Sequence, residues 1–397
     1  MNMLKDNDAV YAAACGTVVA DATGMGLHWI YSQGKIRQVV QKMNGVAEFL
    51  EPNEEHYAGV PSFYAHPLRH AGDSSSYGEY LYVLMHAVDE NGFHRNKFIR
   101  FFQDYFGPGG RYVGYADTPM RETVYNITHL AKEIHQRVMD ADSTLDGEKK
   151  ASAAHYISRY YFEFDTEGLK EQVRTPLKLQ QWSAAELSEA DRLVEVAGID
   201  RAGLGPDDDQ MPALSRSVIL AHLYRGAELD RVTEEAVRIT NNNDKAVRYA
   251  LFASRILRDL YELEKPPADA PELLEELVKR HLAVLDESSA ALVEEALRIP
   301  ELDIRGATKT YGAACHVDMA VPLVIHILRR TTSFSEANRA NIMASGDNCG
   351  RAVLLGPLAG AMYRIGGERG IPEEWIDRAT MMSVLRETPG GGLLFPN

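Results

Sequence analysis

The sequence is poor in cysteine, in basic charge and in strand-like patterning, and each shortage removes a class of protein. Three cysteines occur in 397 residues, Cys15, Cys315 and Cys349, with no CxxC spacing. So odd and sparse a set builds no disulfide framework and fits a reducing compartment. Lysine and arginine number 42 against 57 aspartates and glutamates, a formal charge of −15. A field of that sign opposes a phosphate backbone, so nucleic acid is not expected as a general partner, although a local pocket can still take an anion. The N-terminal MNMLKDNDAV has acids where a secretory or mitochondrial leader is basic. Asp21 and His28 interrupt the first apolar run, so no membrane span is expected and the chain reads as cytoplasmic. No stretch shows convincing apolar–polar alternation, and no repeat recurs at fixed period.

What the chain does have is helical periodicity. Hydrophobic residues make up 45% and charged residues 25%, the profile of an ordinary globular protein. Val10–Tyr31 predicts a buried helix rich in small residues, and Glu51–Gly72, with Pro52, Pro61 and Pro67, predicts a long ordered loop. Ser75–Val88, Arg95–Phe106 and Pro119–Met139 have helical spacing, with the glycine-rich loop Gly107–Gly114 between the last two. Further helices are expected over 151–162, 184–196, 211–223, 230–239, 245–263, 272–286, 288–297, 317–330, 335–344 and 351–363. This set, with no strong linker, predicts an all-α fold in one compact multi-helix domain over residues 1–397.

Three stretches carry polar groups where chemistry is possible. In GTVVADATGMGLHWIY, Gly16, Ala20 and Gly24 stand four apart, a groove that admits another helix closely, while Asp21 and His28 stand seven apart, two turns along one face. A buried, hydrogen-bonded Asp21 and a packing His28 explain that spacing equally well. In AGDSSSYGEY, Asp73 or one of Ser74, Ser75 and Ser76 is placed to cap a helix, or to line a polar pocket at its start. In SGDNCGR, Asp347 caps a helix whose first turn holds Cys349, where the helix dipole and Arg351 both favour a thiolate. Asp207–Gln210 and Thr240–Asp244 read as caps, without the spacing of a calcium loop.

Taken in order, these stretches resemble the ADP-ribosylglycohydrolase family, in the branch that includes J1-crystallin and selenoprotein J. GYADTPMR, DDDQMPALSRSVILAHLY, TNNNDKAV, YGAACHVDMAVPLVIHIL and IPEEWID extend the resemblance, which is weakest near 141–205 and 265–302. It implies an all-α protein that hydrolyses bonds to ADP-ribose or a related ribosyl-nucleotide conjugate with two magnesium ions held by clustered carboxylates. The family's Thr-Asp-Asp-Thr motif falls on Gly72-Asp73-Ser74-Ser75, its late Asp-x-Asp-Thr/Ser motif on Asp347-Asn348-Cys349-Gly350, and its glutamate on His28. Of five expected acids, Asp73 and Asp347 remain, so Asp73, Ser74, Ser75 and Asp347 are expected to hold at most one magnesium ion. The resemblance implies that His28, Asp73 and Cys349 are catalytic, and that Asp21, Tyr115, Asp209, Gly346, Asn348 and Arg351 contact an ADP-ribose-like ligand.

Three activities follow from that altered pocket. In one, a glycohydrolase uses His28 as its acid or base. In another, a His28–Cys349 pair gives thiol or redox chemistry, or binds zinc with an aspartate. In the third, a crystallin-like or ADP-ribose-binding protein has no catalysis.

Overall fold

The computed structural model describes residues 8–162, 164–198, 204–299 and 303–395. Helices dominate it, as the periodicity predicts. Among the described residues the only paired strands are Val88–Asp89 and Gly92–Phe93, a small antiparallel turn with Val88 opposite Phe93.

Two apolar helices form the centre. Asp8–Gly24 buries every residue after Asp8 except Tyr11, and Asn348–Tyr363 buries its whole length. They meet through the small residues that their sequences place four apart. A Cβ on Gly16 would lie 2.2 Å from the carbonyl oxygen of Gly356, one on Gly356 would lie 2.3 Å from that of Gly16, and one on Gly360 would lie 2.2 Å from that of Ala12. Backbone therefore touches backbone, with no room for a side chain. Ser76–Met85, Met211–Arg216, Ser217–Leu223, Asp244–Tyr261, Val317–Leu328 and Phe334–Met343 pack around this pair.

Thr118–Asp140, Gly147–Tyr160, Thr166–Leu179 and Ala184–Ala197 pack against one another as a lateral group. Thr166–Leu179 was not expected, because Pro176 and many charges hide a narrow stripe of Leu169, Val173 and Leu177. Gln33–Lys42 and Ile304–Tyr311 were also unforeseen, being short and polar on their outer faces. Leu27, Ile30, Ile36, Val39, Ala47, Leu50, Tyr57 and Ile342 make a second, smaller core beneath the long proline-containing loop.

Two expectations about the first apolar run are corrected. Asp8–Leu27 is long and apolar enough, by length and composition, to cross a membrane, but it lies almost wholly inside the protein. The α-helix also ends at Gly24 and is followed by a single 3-10 turn, Met25–Leu27, so Asp21 and His28 do not share one helical face.

Gly16→Val should destabilise the protein by about 3 kcal/mol in urea unfolding, because the new side chain meets fixed backbone. Gly34→Ala, whose Cβ would meet nothing closer than 3.7 Å, should be neutral or stabilising by up to about 1 kcal/mol. A second expectation concerns His326, buried on Val317–Leu328, where desolvation and then Arg330 push its pKa down to about 4. The unfolded chain regains the ordinary value of about 6.5 and takes up a proton that the folded chain refuses, so stability falls as pH drops from about 6.5 toward 4. His326→Leu should make that fall shallower in a series of Tm measurements.

Candidate functional site

The site is assembled by two chain segments that cross where helices begin and end. After the 3-10 turn, His28 is extended and Trp29 takes a left-handed φ of 65°. Trp29 N donates to Gly346 O at 2.9 Å, Gly346 N to Ile30 O at 2.8 Å, Tyr31 N to Pro61 O at 3.0 Å and Phe63 N to Trp29 O at 3.1 Å. Ser345 and Gly346 also have positive φ, and Gly346 passes so near Ala313 that a Cβ would lie 2.2 Å from its carbonyl oxygen. Asp347 N donates to Ala313 O at 2.8 Å, which fixes Asp347 as the N-cap of Asn348–Tyr363.

Asp347 is fully buried, and protein donors use both of its carboxylate oxygens. Oδ1 accepts from Gly350 N at 3.1 Å and lies 2.7 Å from His28 Nε2, while Oδ2 accepts from Tyr77 OH at 3.1 Å. With Asp347 ionised, the His28 Nε2 carries the proton of their contact. The other His28 nitrogen, Nδ1, lies 2.7 Å from Nε2 of buried His66, and the two rings stack with centroids 5.0 Å apart. Burial, then His28, drive the His66 pKa well below its ordinary value, and burial and Asp347 drive that of Tyr77 well above its own. Beside this chain lies Asp21, whose Oδ2 accepts from Ser75 N at 2.8 Å and whose Oδ1 accepts from Ser75 Oγ at 2.5 Å. Burial raises the Asp21 pKa against the opposing pull of those two bonds.

The residues singled out in the sequence divide unevenly. His28, Asp347, Asp21 and Ser75 come together, and Ser75, not Asp73, is the helix N-cap. Asp73 turns elsewhere: Oδ2 accepts from His70 N at 2.9 Å and Oδ1 from Thr380 Oγ1 at 3.0 Å. Ser74 is buried, with its Oγ lacking a partner. Asn348 Nδ2 donates to Gly24 O at 2.9 Å, and Gly346 acts through its backbone. Arg351 is fully buried and donates to Asn341 and to Ser345 O, so its guanidinium supports the loop beneath Asp347.

The reactive-thiolate expectation for Cys349 is corrected. Its Sγ is buried and directed at Asp21 O at 3.6 Å, and burial, then Asp21 and Asp347, push its pKa well above the ordinary thiol value. Desolvation and two carboxylates outweigh the helix dipole.

These donors do not fit the pair of magnesium ions that the motifs imply. Both oxygens of Asp347, of Asp21 and of Asp73 already accept protein hydrogen bonds. Among the described residues no three of His, Cys, Asp or Glu are grouped to hold a metal ion. Zinc fares no better, since both His28 nitrogens are engaged and Cys349 is a buried thiol.

The aromatic cluster beside His28 had little signal in the sequence. Trp29, Phe63 and Tyr115 form it, with centroids 4.7 Å apart for Trp29–Tyr115 and 5.4 Å for Phe63–Tyr115. Two residues beyond Tyr115, Asp117 caps Thr118–Asp140: its Oδ1 accepts from Met120 N at 2.8 Å and from Tyr80 OH at 2.9 Å. Burial lifts the Asp117 pKa to about 6, with Asp208 and Asp347 adding repulsion. Asp209 lies 2.5 Å from His316 Nδ1, and Met211 N→Cys315 O and Val317 N→Asp209 O bonds tie these two segments together. His66, Tyr77, Asp117 and His316 escaped sequence reasoning. The one available signal was Asp117, two residues before Pro119, as a helix start.

A family profile described as ADP-ribosylglycohydrolase matches residues 3–390. Crystallin J1A of Tripedalia cystophora is 23% identical over 378 residues, covering 94% of this chain and 92% of its own length. Crystallin J1B of the same animal is 21% identical over 381 residues, with the same coverage. A solved structure titled ADP-ribosylglycohydrolase-related protein complex superposes with a TM-score of 0.45 at 15% identity, covering 98% of this chain and 97% of that one.

His28→Ala should cost about 4 kcal/mol in chemical denaturation, because it strips a buried carboxylate of its ring partner. Tyr77→Phe, which removes one hydroxyl donor to the same carboxylate, should cost about 2 kcal/mol.

Proposed function

The chain belongs to the ADP-ribosylglycohydrolase family, and we propose that it is a member in which magnesium-dependent hydrolysis has been given up and any remaining role is ligand binding without catalysis. One observation carries this reading: the carboxylates and the histidine at the inherited catalytic positions satisfy one another and the backbone. Asp347 accepts from Gly350 and Tyr77 and pairs with His28, His28 is held at both nitrogens, and Asp21 is held by Ser75. A general base needs a lone pair free to meet a water or a substrate proton. A metal needs several oxygen ligands converging on one point, and among the described residues no three of His, Cys, Asp or Glu are so grouped. Neither is available unless this network opens, which would leave charges buried and unpartnered. Both J1 relatives are named crystallins, which is consistent with a member that does no hydrolysis.

A redox role for Cys349 finds no support, because a buried thiol with a raised pKa is a poor nucleophile. Family membership makes an ADP-ribose-like molecule the first ligand to try.

The test is incubation of purified protein with ADP-ribosylated protein and with small ADP-ribosyl conjugates, in magnesium, in zinc and in chelator, alongside calorimetric titration of ADP-ribose. The expected outcome is no release of ADP-ribose in any condition, and a binding isotherm, if one is seen, that chelator leaves unchanged. Turnover that magnesium supports and chelator abolishes would overturn the reading and require the Asp347 network to open on metal binding.

A further inference from the structure

Glu79 ties two loops to one helix. It stands in the first turn of Ser76–Met85, is buried, and has both carboxylate oxygens engaged. Oε1 accepts from Arg69 Nη2 at 2.6 Å, and Oε2 accepts from Tyr105 OH. Tyr105 lies in the last turn of Arg95–Phe106, where the glycine-rich loop 107–116 begins. Arg69 belongs to the long loop that precedes Ser76–Met85, and its guanidinium carbon lies 5.3 Å from the ring centroid of Tyr112. One acid therefore holds the long loop through Arg69 and the root of the glycine-rich loop through Tyr105, and Tyr112 lies across the guanidinium. The ion pair is a single N–H···O contact, with Arg69 Nε buried and unpartnered, not the two-point fork that arginine and a carboxylate can make.

Arg69 also carries this fastening to the buried histidines. It closes a tight turn, 66–69, in which Arg69 N donates to His66 O at 3.3 Å and Leu68 is exposed. At one end of the turn His66 Nε2 lies 2.7 Å from His28 Nδ1, and at the other Arg69 meets Glu79. The charge of Arg69 is felt by His66, so the two ends are electrostatically coupled as well as bonded. The glycine-rich loop reaches His28 by a second route. Tyr112 OH donates to Tyr115 O at 2.7 Å, the Tyr115 ring packs edge-on against Trp29, and Trp29 lies 4.6 Å from the His28 ring. Away from these tyrosines the loop is open: Arg111, Val113 and Gly114 are exposed, and a Cβ on Gly109 would meet nothing within 4 Å.

We propose that turn 66–69 and loop 107–116 act together as a strap that shields His28 and its contact with Asp347, fastened by the Arg69–Glu79 pair, and that release of this pair is the motion that makes the two histidines reachable from solvent. Local openings of this kind are drawn from segments held by few bonds, while the central helices stay folded. The strap governs access alone, so it stands or falls separately from the question of hydrolysis.

Carbethoxylation by diethylpyrocarbonate and hydrogen exchange, both read by mass spectrometry on the intact chain, test it. The reagent acylates unprotonated imidazole nitrogens that it can reach, and His66 Nδ1 has no partner, so burial is its protection. Exposed His129 serves as the internal standard. In the unmodified protein His66 should react at least about tenfold more slowly than His129. Arg69→Met keeps the reach of the side chain and removes the fastening. It should raise the His66 rate, and amide exchange in 64–72 and 105–116, about tenfold or more, with exchange in Asp8–Gly24 and Asn348–Tyr363 unchanged. Tyr112→Leu leaves the ion pair in place and removes the ring across it; it should move the same readouts in the same direction, and it decides the matter if Arg69→Met fails to fold. His66 as reactive as His129 in the unmodified protein, no change in a folded variant, or a rise shared equally by the two central helices would each overturn the proposal.

Discussion

The contact between Asp8–Gly24 and Asn348–Tyr363 is the constraint on which the rest of the molecule depends. Gly16, Gly356 and Gly360 let the two backbones touch, and their separation leaves no space for a single added carbon. That contact joins the beginning of the chain to its end, which is entropically demanding. Once made, it brings the exit of the first helix beside the entrance of the last. His28 and Asp347 meet at 2.7 Å for this reason, although 319 positions separate them.

Everything polar at the centre follows from that meeting. A carboxylate buried at a helix N-terminus is stabilised by the free amides there, and Asp347 uses Gly350 N in this way. Its remaining capacity goes to Tyr77 and His28, and His28 in turn passes the interaction to His66. The outcome is a chain of contacts from Gly350 and Tyr77 through Asp347 and His28 to His66, whose Nδ1 has no partner. Asp117, also buried, keeps one oxygen without a partner and has the acids Asp208 and Asp347 and the buried Arg216 acting on it.

The fold was legible in the sequence to a large extent, because buried helices write their period into it. The small residues at 16, 20 and 24 announced a close helix contact, and the family resemblance placed His28 near Asp347. The missed helices were those whose buried stripe was thin, as in Thr166–Leu179 with Leu169, Val173 and Leu177 among charges. The site was legible only in part, because hydrogen bonding depends on where a side chain ends and not on which residue it is. Asp73 matched the motif yet faces Thr380, and Cys349 occupied the expected helix start yet is desolvated. His66 lies in an irregular, aromatic loop with no pattern to mark it, and Asp117 stands outside the stretches that the motifs pick out.

The glycine-faced crossing has a further consequence for how this protein can change. Its close approach lies in main-chain proximity, with Asp347 capping one of the two helices beside it. Stability therefore draws on the crossing and on the Asp347 network together, and positions outside both can be rewritten while the scaffold persists. A frame of this type fixes its centre and leaves its periphery free to vary.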